Sequence, residues 1–168
     1  SENECYAMLE AGFKHKGPAA VRYPRGGGAG KYDKEKIETI EIGKAKVVRS
    51  GKNVAILSFG VLLENCKKAA EDLEATLVDM RFVKPLDEKI LRELSVTHEY
   101  FVTVEDNAIV GGAGSAVNEF VLNNKLDVKV KNLGLSDKFT EHGTRAEILS
   151  DAELSEEGIF KSTQSFIS

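Results

Sequence analysis

A three-layer α/β/α fold around a mostly parallel five-stranded sheet with one antiparallel strand follows from three features of this sequence. The apolar segments 76–80, 100–104 and 128–133 are each preceded by a helix-length segment, the spacing of crossovers between parallel strands. The apolar run 54–59 follows the alternating segment 42–49 after only Ser50-Gly51-Lys52-Asn53. No crossover fits in so short a connection, so these two strands are expected to be antiparallel neighbours. A chain of 168 residues that is 42% hydrophobic has material for one core and an appendage.

The elements follow in order. Ser1 and Glu4 form a candidate capping box, and Cys5, Met8, Leu9, Gly12 and Phe13 recur at helical spacing, which predicts an amphipathic helix over 2–14. Gly17 and Pro18 end it, and 19–23 reads as a short strand, too little to build a sheet alone. Residues 26–41 combine a glycine run with mixed charges, the composition of a connection between domains. The expected division is therefore a tail of a preceding unit over 1–25, a linker over 26–41 and the α/β domain over 42–168. Within that domain Lys44 and Lys46 alternate with Ala45 and Val47. Leu63, Cys66, Ala70 and Leu73 make one helical face; Ile90, Leu91 and Leu94 make a second behind Asp87 as N-cap; Ala113, Val117, Phe120 and Val121 make a third. Thr144 with Glu147 is another capping box, and Ile159, Phe160, Thr163, Phe166 and Ile167 form the face of a terminal helix.

Composition removes several functions. The 23 basic and 27 acidic residues give a net charge of -4 without a dense basic cluster, so nucleic acid is not an expected partner. No apolar run is long enough to span a bilayer, and Ser1-Glu2-Asn3-Glu4 is not the basic start of a signal peptide. Cys5 and Cys66 have neither metal-ligand spacing nor a disulfide framework and read as reduced core thiols. His15, His98 and His142 are scattered, and no serine stands in a nucleophile elbow, so neither a metal centre nor a hydrolase is expected.

Three motifs carry chemistry. Arg25 stands in Tyr23-Pro24-Arg25-Gly26, between a proline that fixes local backbone geometry and a glycine that permits close approach. A guanidinium so held suits a bidentate grip on phosphate, or else a surface pair with a carboxylate; Arg22 reads as a structural pair. The run Glu105-Asp106-Asn107-Ala108-Ile109-Val110-Gly111-Gly112-Ala113-Gly114-Ser115 takes a strand into a helix start. Free N–H groups at Gly111, Gly112, Gly114 and Ser115 could attract an anion, while close packing or an interdomain contact explains the same glycines. Glu105 and Asp106 would repel a phosphate, and neither the dinucleotide nor the P-loop spacing is present. Residues Asp79-Met80-Arg81-Phe82-Val83-Lys84-Pro85-Leu86-Asp87 read as an ordered loop that docks on another domain.

Together these motifs resemble the 1-deoxy-D-xylulose-5-phosphate synthase family of the transketolase superfamily, and the resemblance covers essentially the whole chain. It implies the transketolase-type C-terminal domain over 42–168 and the tail of the pyrimidine-binding domain over 1–25. The family condenses pyruvate with D-glyceraldehyde 3-phosphate, with loss of carbon dioxide, using thiamine diphosphate and magnesium. Its product feeds isoprenoid, thiamine and pyridoxal synthesis. By resemblance Arg25 holds the phosphate of glyceraldehyde 3-phosphate with Tyr23 beside it, and the Gly111 to Ser115 loop faces interdomain and dimer contacts. The family's Gly-Asp-Gly cofactor motif does not occur here. The chain alone is thus expected to hold no cofactor, no metal and no catalytic residue, and to work within a homodimer of the bacterial cytoplasm or plastid stroma. The alternatives are the equivalent domain of a transketolase or of a 2-oxo-acid dehydrogenase β subunit, and, from a different class, an anion-binding regulatory module.

Overall fold

Five strands, β1 (Lys46–Arg49), β2 (Asn53–Phe59), β3 (Thr76–Asp79), β4 (His98–Ala108) and β5 (Lys129–Leu135), form one sheet in the order β1-β3-β2-β4-β5. All neighbours are parallel except β1 with β3. The structure, a computed structural model, describes residues 1–24 and 32–168. Among the described residues six α-helices accompany the sheet: α1 (Glu2–Lys14), α2 (Leu63–Asp72), α3 (Glu88–Ser95), α4 (Ala113–Asn123), α5 (Arg145–Asp151) and α6 (Glu156–Ile167).

The two-residue period of the strands divides the core. In β2, Val54 and Ile56 face one side, with Cys66, Ala70, Leu149, Leu154 and Ile159 from α2, α5 and α6 and the turns beside them. Ala55, Leu57 and Phe59 face the other, with Leu91 and Leu94 of α3 and Val117, Phe120 and Val121 of α4. A strand buried on both faces is apolar on both, which is why 54–59 shows no alternation, with Ser58 as its buried polar residue. Burial also pushes the Cys66 thiol up to about 12, and Ser58 offsets this only in part.

The expected pairing of β1 with β2 is corrected. The two strands do run antiparallel, but β3 lies between them, and β1 is the sheet edge. Two strand spacings are about 10 Å, within reach of the three residues 50–52 at about 3.3 Å each. The connection crosses the start of β3 at close quarters: Gly51 donates to Thr76 Oγ1 at 2.9 Å, and Lys52 donates to the Glu74 carbonyl at 2.9 Å. A Cβ on Gly51 would lie 2.2 Å from the Ala75 carbonyl carbon, so only glycine passes there. Loop length gave the right strand direction and the wrong neighbour.

Two further expectations change at the N-terminal end. Residues 19–23 form no strand, because no described segment offers them a ladder partner. Instead Gly12 lets them fold back on the helix, since a Cβ there would meet Val21 at 2.9 Å. The capping box at Ser1 is half formed: Ser1 Oγ accepts from the Glu4 N–H at 3.2 Å, but the Glu4 carboxylate turns to Arg81. Thr144 and Glu147 form theirs completely. Tyr32 and Asp33 pack on α1, with the Tyr32 and Tyr6 rings 4.6 Å apart and the Asp33 N–H on Asn3 Oδ1 at 2.8 Å. Phe13 of α1 remains 92% exposed, an apolar side chain this chain does not cover.

Candidate functional site

The carboxyl ends of β2 and β4 are adjacent, and the chain leaves them toward opposite edges of the sheet, through β3 on one side and β5 on the other. Such a divergence is where open α/β sheets bind ligands. Here the position is filled from within. Glu105, buried at the end of β4, accepts from the Ala113 N–H at 2.7 Å and the Gly114 N–H at 2.8 Å. The N-cap of α4 is Gly112, which has no side chain, so Glu105 supplies the carboxylate that a capping residue would otherwise bring.

The glycines make this approach possible. A Cβ on Gly112 would stand 2.4 Å from Glu105 Oε2, and one on Gly114 would stand 1.9 Å from Asn132 Nδ2 and 2.5 Å from Thr103 Oγ1. Those two side chains belong to a chain of amides and hydroxyl: Asn118 donates to Asn132 at 2.9 Å, and Asn132 donates to Thr103 at 2.8 Å. Gly111, at φ +72°, donates to Ser115 Oγ at 3.1 Å, and that hydroxyl donates to the Ile109 carbonyl at 3.2 Å. The donors of Gly111, Gly114 and Ser115 on which an anion would depend are thus engaged inside the chain, as is that of Gly112, which reaches the Ile109 carbonyl at 3.3 Å. A phosphate at this helix start would have to displace Glu105.

Asp106, the next residue, ties Arg22, just before Tyr23, to the sheet. Its carbonyl accepts from Arg22 Nη2 at 2.8 Å, and its carboxylate meets Arg145 Nη2 at 3.4 Å. Arg22 is therefore structural, as its sequence context suggested, though its partner is a main-chain oxygen. Tyr23 is 62% exposed beside this anchor. Arg25 and Gly26 lie outside the described residues. The same end of the sheet carries Phe139, fully exposed, and His142, also exposed, in the loop before α5.

A second cluster joins α1 to the loop after β3. Arg81, at φ +58°, directs Nε and Nη2 to Glu4 Oε1 at 2.9 and 2.8 Å, and its N–H reaches Asp79 Oδ1 at 3.2 Å. Burial pushes the Asp79 carboxyl up to about 7, with the negative charge of Glu4 and a hydrogen bond to it acting in the same direction and Arg81 opposing. The 79–87 loop thus meets α1 through Arg81, and the sign of that contact in the sequence is Glu4, a carboxylate in the first turn of a helix whose capping box is otherwise complete. Asp87 meets its expected role, capping α3 through Ile90 and also holding the Ala45 N–H at 2.9 Å. His98 is a core histidine bonded to Thr76 at 2.8 Å, with its pKa lowered by burial. Among the described residues no group of three or more His, Cys, Asp and Glu could hold a metal ion, and no helix is long and apolar enough to cross a membrane.

Residues 43–159 match the sequence profile of the transketolase C-terminal domain. The chain belongs to the transketolase C-terminal domain family. Transketolase-type architecture accounts for the antiparallel edge strand and the crossovers on both faces. The chain is 52% identical, over 99% of its length, to a 1-deoxy-D-xylulose-5-phosphate synthase of Aeromonas hydrophila subsp. hydrophila. It is 51% identical, over the same share, to that of Vibrio campbellii. It spans 27% of the length of each of these relatives. In three dimensions it is similar to a split gene transketolase solved as an inactive beta4 tetramer, with a TM-score of 0.87 and 27% identity over 97% of this chain and 54% of the other.

Proposed function

We propose that this chain is the C-terminal part of a 1-deoxy-D-xylulose-5-phosphate synthase, a transferase that joins pyruvate to D-glyceraldehyde 3-phosphate with loss of carbon dioxide. The observation that carries this reading is the 52% identity across 99% of the chain, which includes the linker and α1 as well as the domain. The equivalent domain of a transketolase fits less well, since the split gene protein shares 27% identity. In this reading Arg25 grips the phosphate of the aldehyde substrate, with Tyr23 beside it. The Arg22 contact to Asp106 supports that role by anchoring the segment that leads to Arg25. The α/β domain contributes closure against the preceding domain and part of a homodimer interface in the cytoplasm or stroma; exposed Phe13 and Phe139 are apolar material for such contacts.

Thiamine diphosphate with magnesium does not fit the described residues. The helix start that could hold a diphosphate is occupied by Glu105, and no metal-holding group of side chains faces it. The cofactor belongs in this reading to the part of the enzyme outside this chain, where the bond-making steps take place. The inactive state named for the split gene protein is in keeping with this. Calorimetry tests it directly: the 168-residue chain titrated with thiamine diphosphate and magnesium is expected to give no saturable heat. A micromolar dissociation constant would place the cofactor here and overturn the division of labour.

A further inference from the structure

We propose that Arg81 is a positioning residue for the phosphate grip assigned to Arg25, acting through α1 and jointly with Arg22. This role rests on the reading of Arg25 as the phosphate ligand and names what aims it. Two polar seats join α1 and the segment behind it to the carboxyl ends of the strands. At the first, Arg81 Nε and Nη2 both donate to Glu4 Oε1, at 2.9 and 2.8 Å. At the second, Arg22 Nη2 donates to the Asp106 carbonyl at 2.8 Å. Arg81 follows β3 and Asp106 lies near the end of β4, so the seats stand on either side of β2.

The seats belong to one packed unit. Gly12 of α1 lies so near Val21 that a Cβ on it would meet that side chain at 2.9 Å, so a helix that shifts carries the residue before Arg22 with it. Only Tyr23 and Pro24 then separate Arg22 from Arg25. Pro24 fixes its own φ and narrows the choices of Tyr23, so little freedom enters between anchor and grip. The first seat is itself stiff. The Arg81 side chain is 12% exposed, and its backbone, at φ +58°, is tied by its N–H to Asp79 Oδ1 at 3.2 Å. A residue other than glycine in this left-handed region is held there by its surroundings, and such residues cluster where a side chain must be aimed. Aim matters to a guanidinium that makes a forked pair of hydrogen bonds: a displacement of about 1 Å, caused far from the chemistry, costs up to about a hundredfold in rate.

Steady-state kinetics of the full-length enzyme with Arg81→Gln, Arg22→Gln and Arg22→Lys provide the test. Both glutamine variants are expected to raise the KM for glyceraldehyde 3-phosphate by about tenfold or more and to leave the KM for pyruvate unchanged. Arg22→Lys should restore the ordinary KM, because the Asp106 carbonyl needs one N–H donor and an ammonium supplies it. In an Arg25→Ala background either glutamine variant should add no further loss, since the residue through which it acts is gone. A variant that merely loosened the fold would lower kcat and leave both KM values alone. Should Arg81→Gln fail to fold, Glu4→Ala removes the first seat from the helix side. An unchanged KM for glyceraldehyde 3-phosphate when the first seat is removed overturns the proposal, and so does a full further loss in the Arg25→Ala background. A selective loss in Arg25→Ala by itself leaves the reading of Arg25 standing in either case, whereas its absence overturns both.

Discussion

Replacing Arg25 with alanine in the full-length enzyme is expected to lower kcat/KM for glyceraldehyde 3-phosphate by between about 30-fold and several thousand-fold, while leaving the KM for pyruvate unchanged. The range is the cost of about 2 to 5 kcal/mol for removing one partner of a desolvated charge pair. Phosphate recognition predicts selectivity because pyruvate carries no phosphate for the guanidinium to grip. Arg25→Lys should recover only part of the loss, since an ammonium cannot make the forked pair of hydrogen bonds. Steady-state kinetics with each substrate varied in turn decides the matter. Equal losses for the two substrates would mean that Arg25 supports the fold of the region and not the phosphate.

The second large effect is structural. Glu105→Ala is expected to destabilise the 168-residue chain by about 3 kcal/mol, lowering its melting temperature by about 6 to 12 °C. Two charge-assisted hydrogen bonds, to the N–H groups of Ala113 and Gly114, are lost together. The donors they leave are buried at the start of α4 under residues packed too closely to admit a substitute side chain. Glu105→Gln, which keeps one acceptor oxygen, should fall between the two. Urea unfolding monitored by circular dichroism measures the difference, and a change below about 0.5 kcal/mol, the ordinary effect of a surface substitution, would show that the carboxylate does not hold the helix.

The parts of this fold written in local pattern were legible. Asp87 announced α3, Thr144 and Glu147 announced α5, and the apolar run 54–59 announced β2. The place of β1 was not legible, because four connecting residues fix direction while leaving open whether another strand inserts between. That insertion depends on Gly51 passing the Ala75 backbone, a contact between residues far apart in the chain. The Gly111 to Ser115 loop shows the same division. Its glycines signalled close approach, and the neighbouring acids argued against phosphate, but only the fold shows that Glu105 itself is what approaches. The spacing rule assigns Glu4 to its own helix, and Arg81, 77 residues further along the chain, overrides it. Arg25 is legible through its motif alone, which is why its role is a matter for kinetics.

Turnover of pyruvate with glyceraldehyde 3-phosphate by the purified 168-residue chain, supplied with thiamine diphosphate and magnesium, tests the central claim most directly. The account predicts no product from this chain alone and product once the remaining N-terminal part of a related synthase is added. Formation of 1-deoxy-D-xylulose 5-phosphate by the chain unaided would contradict it.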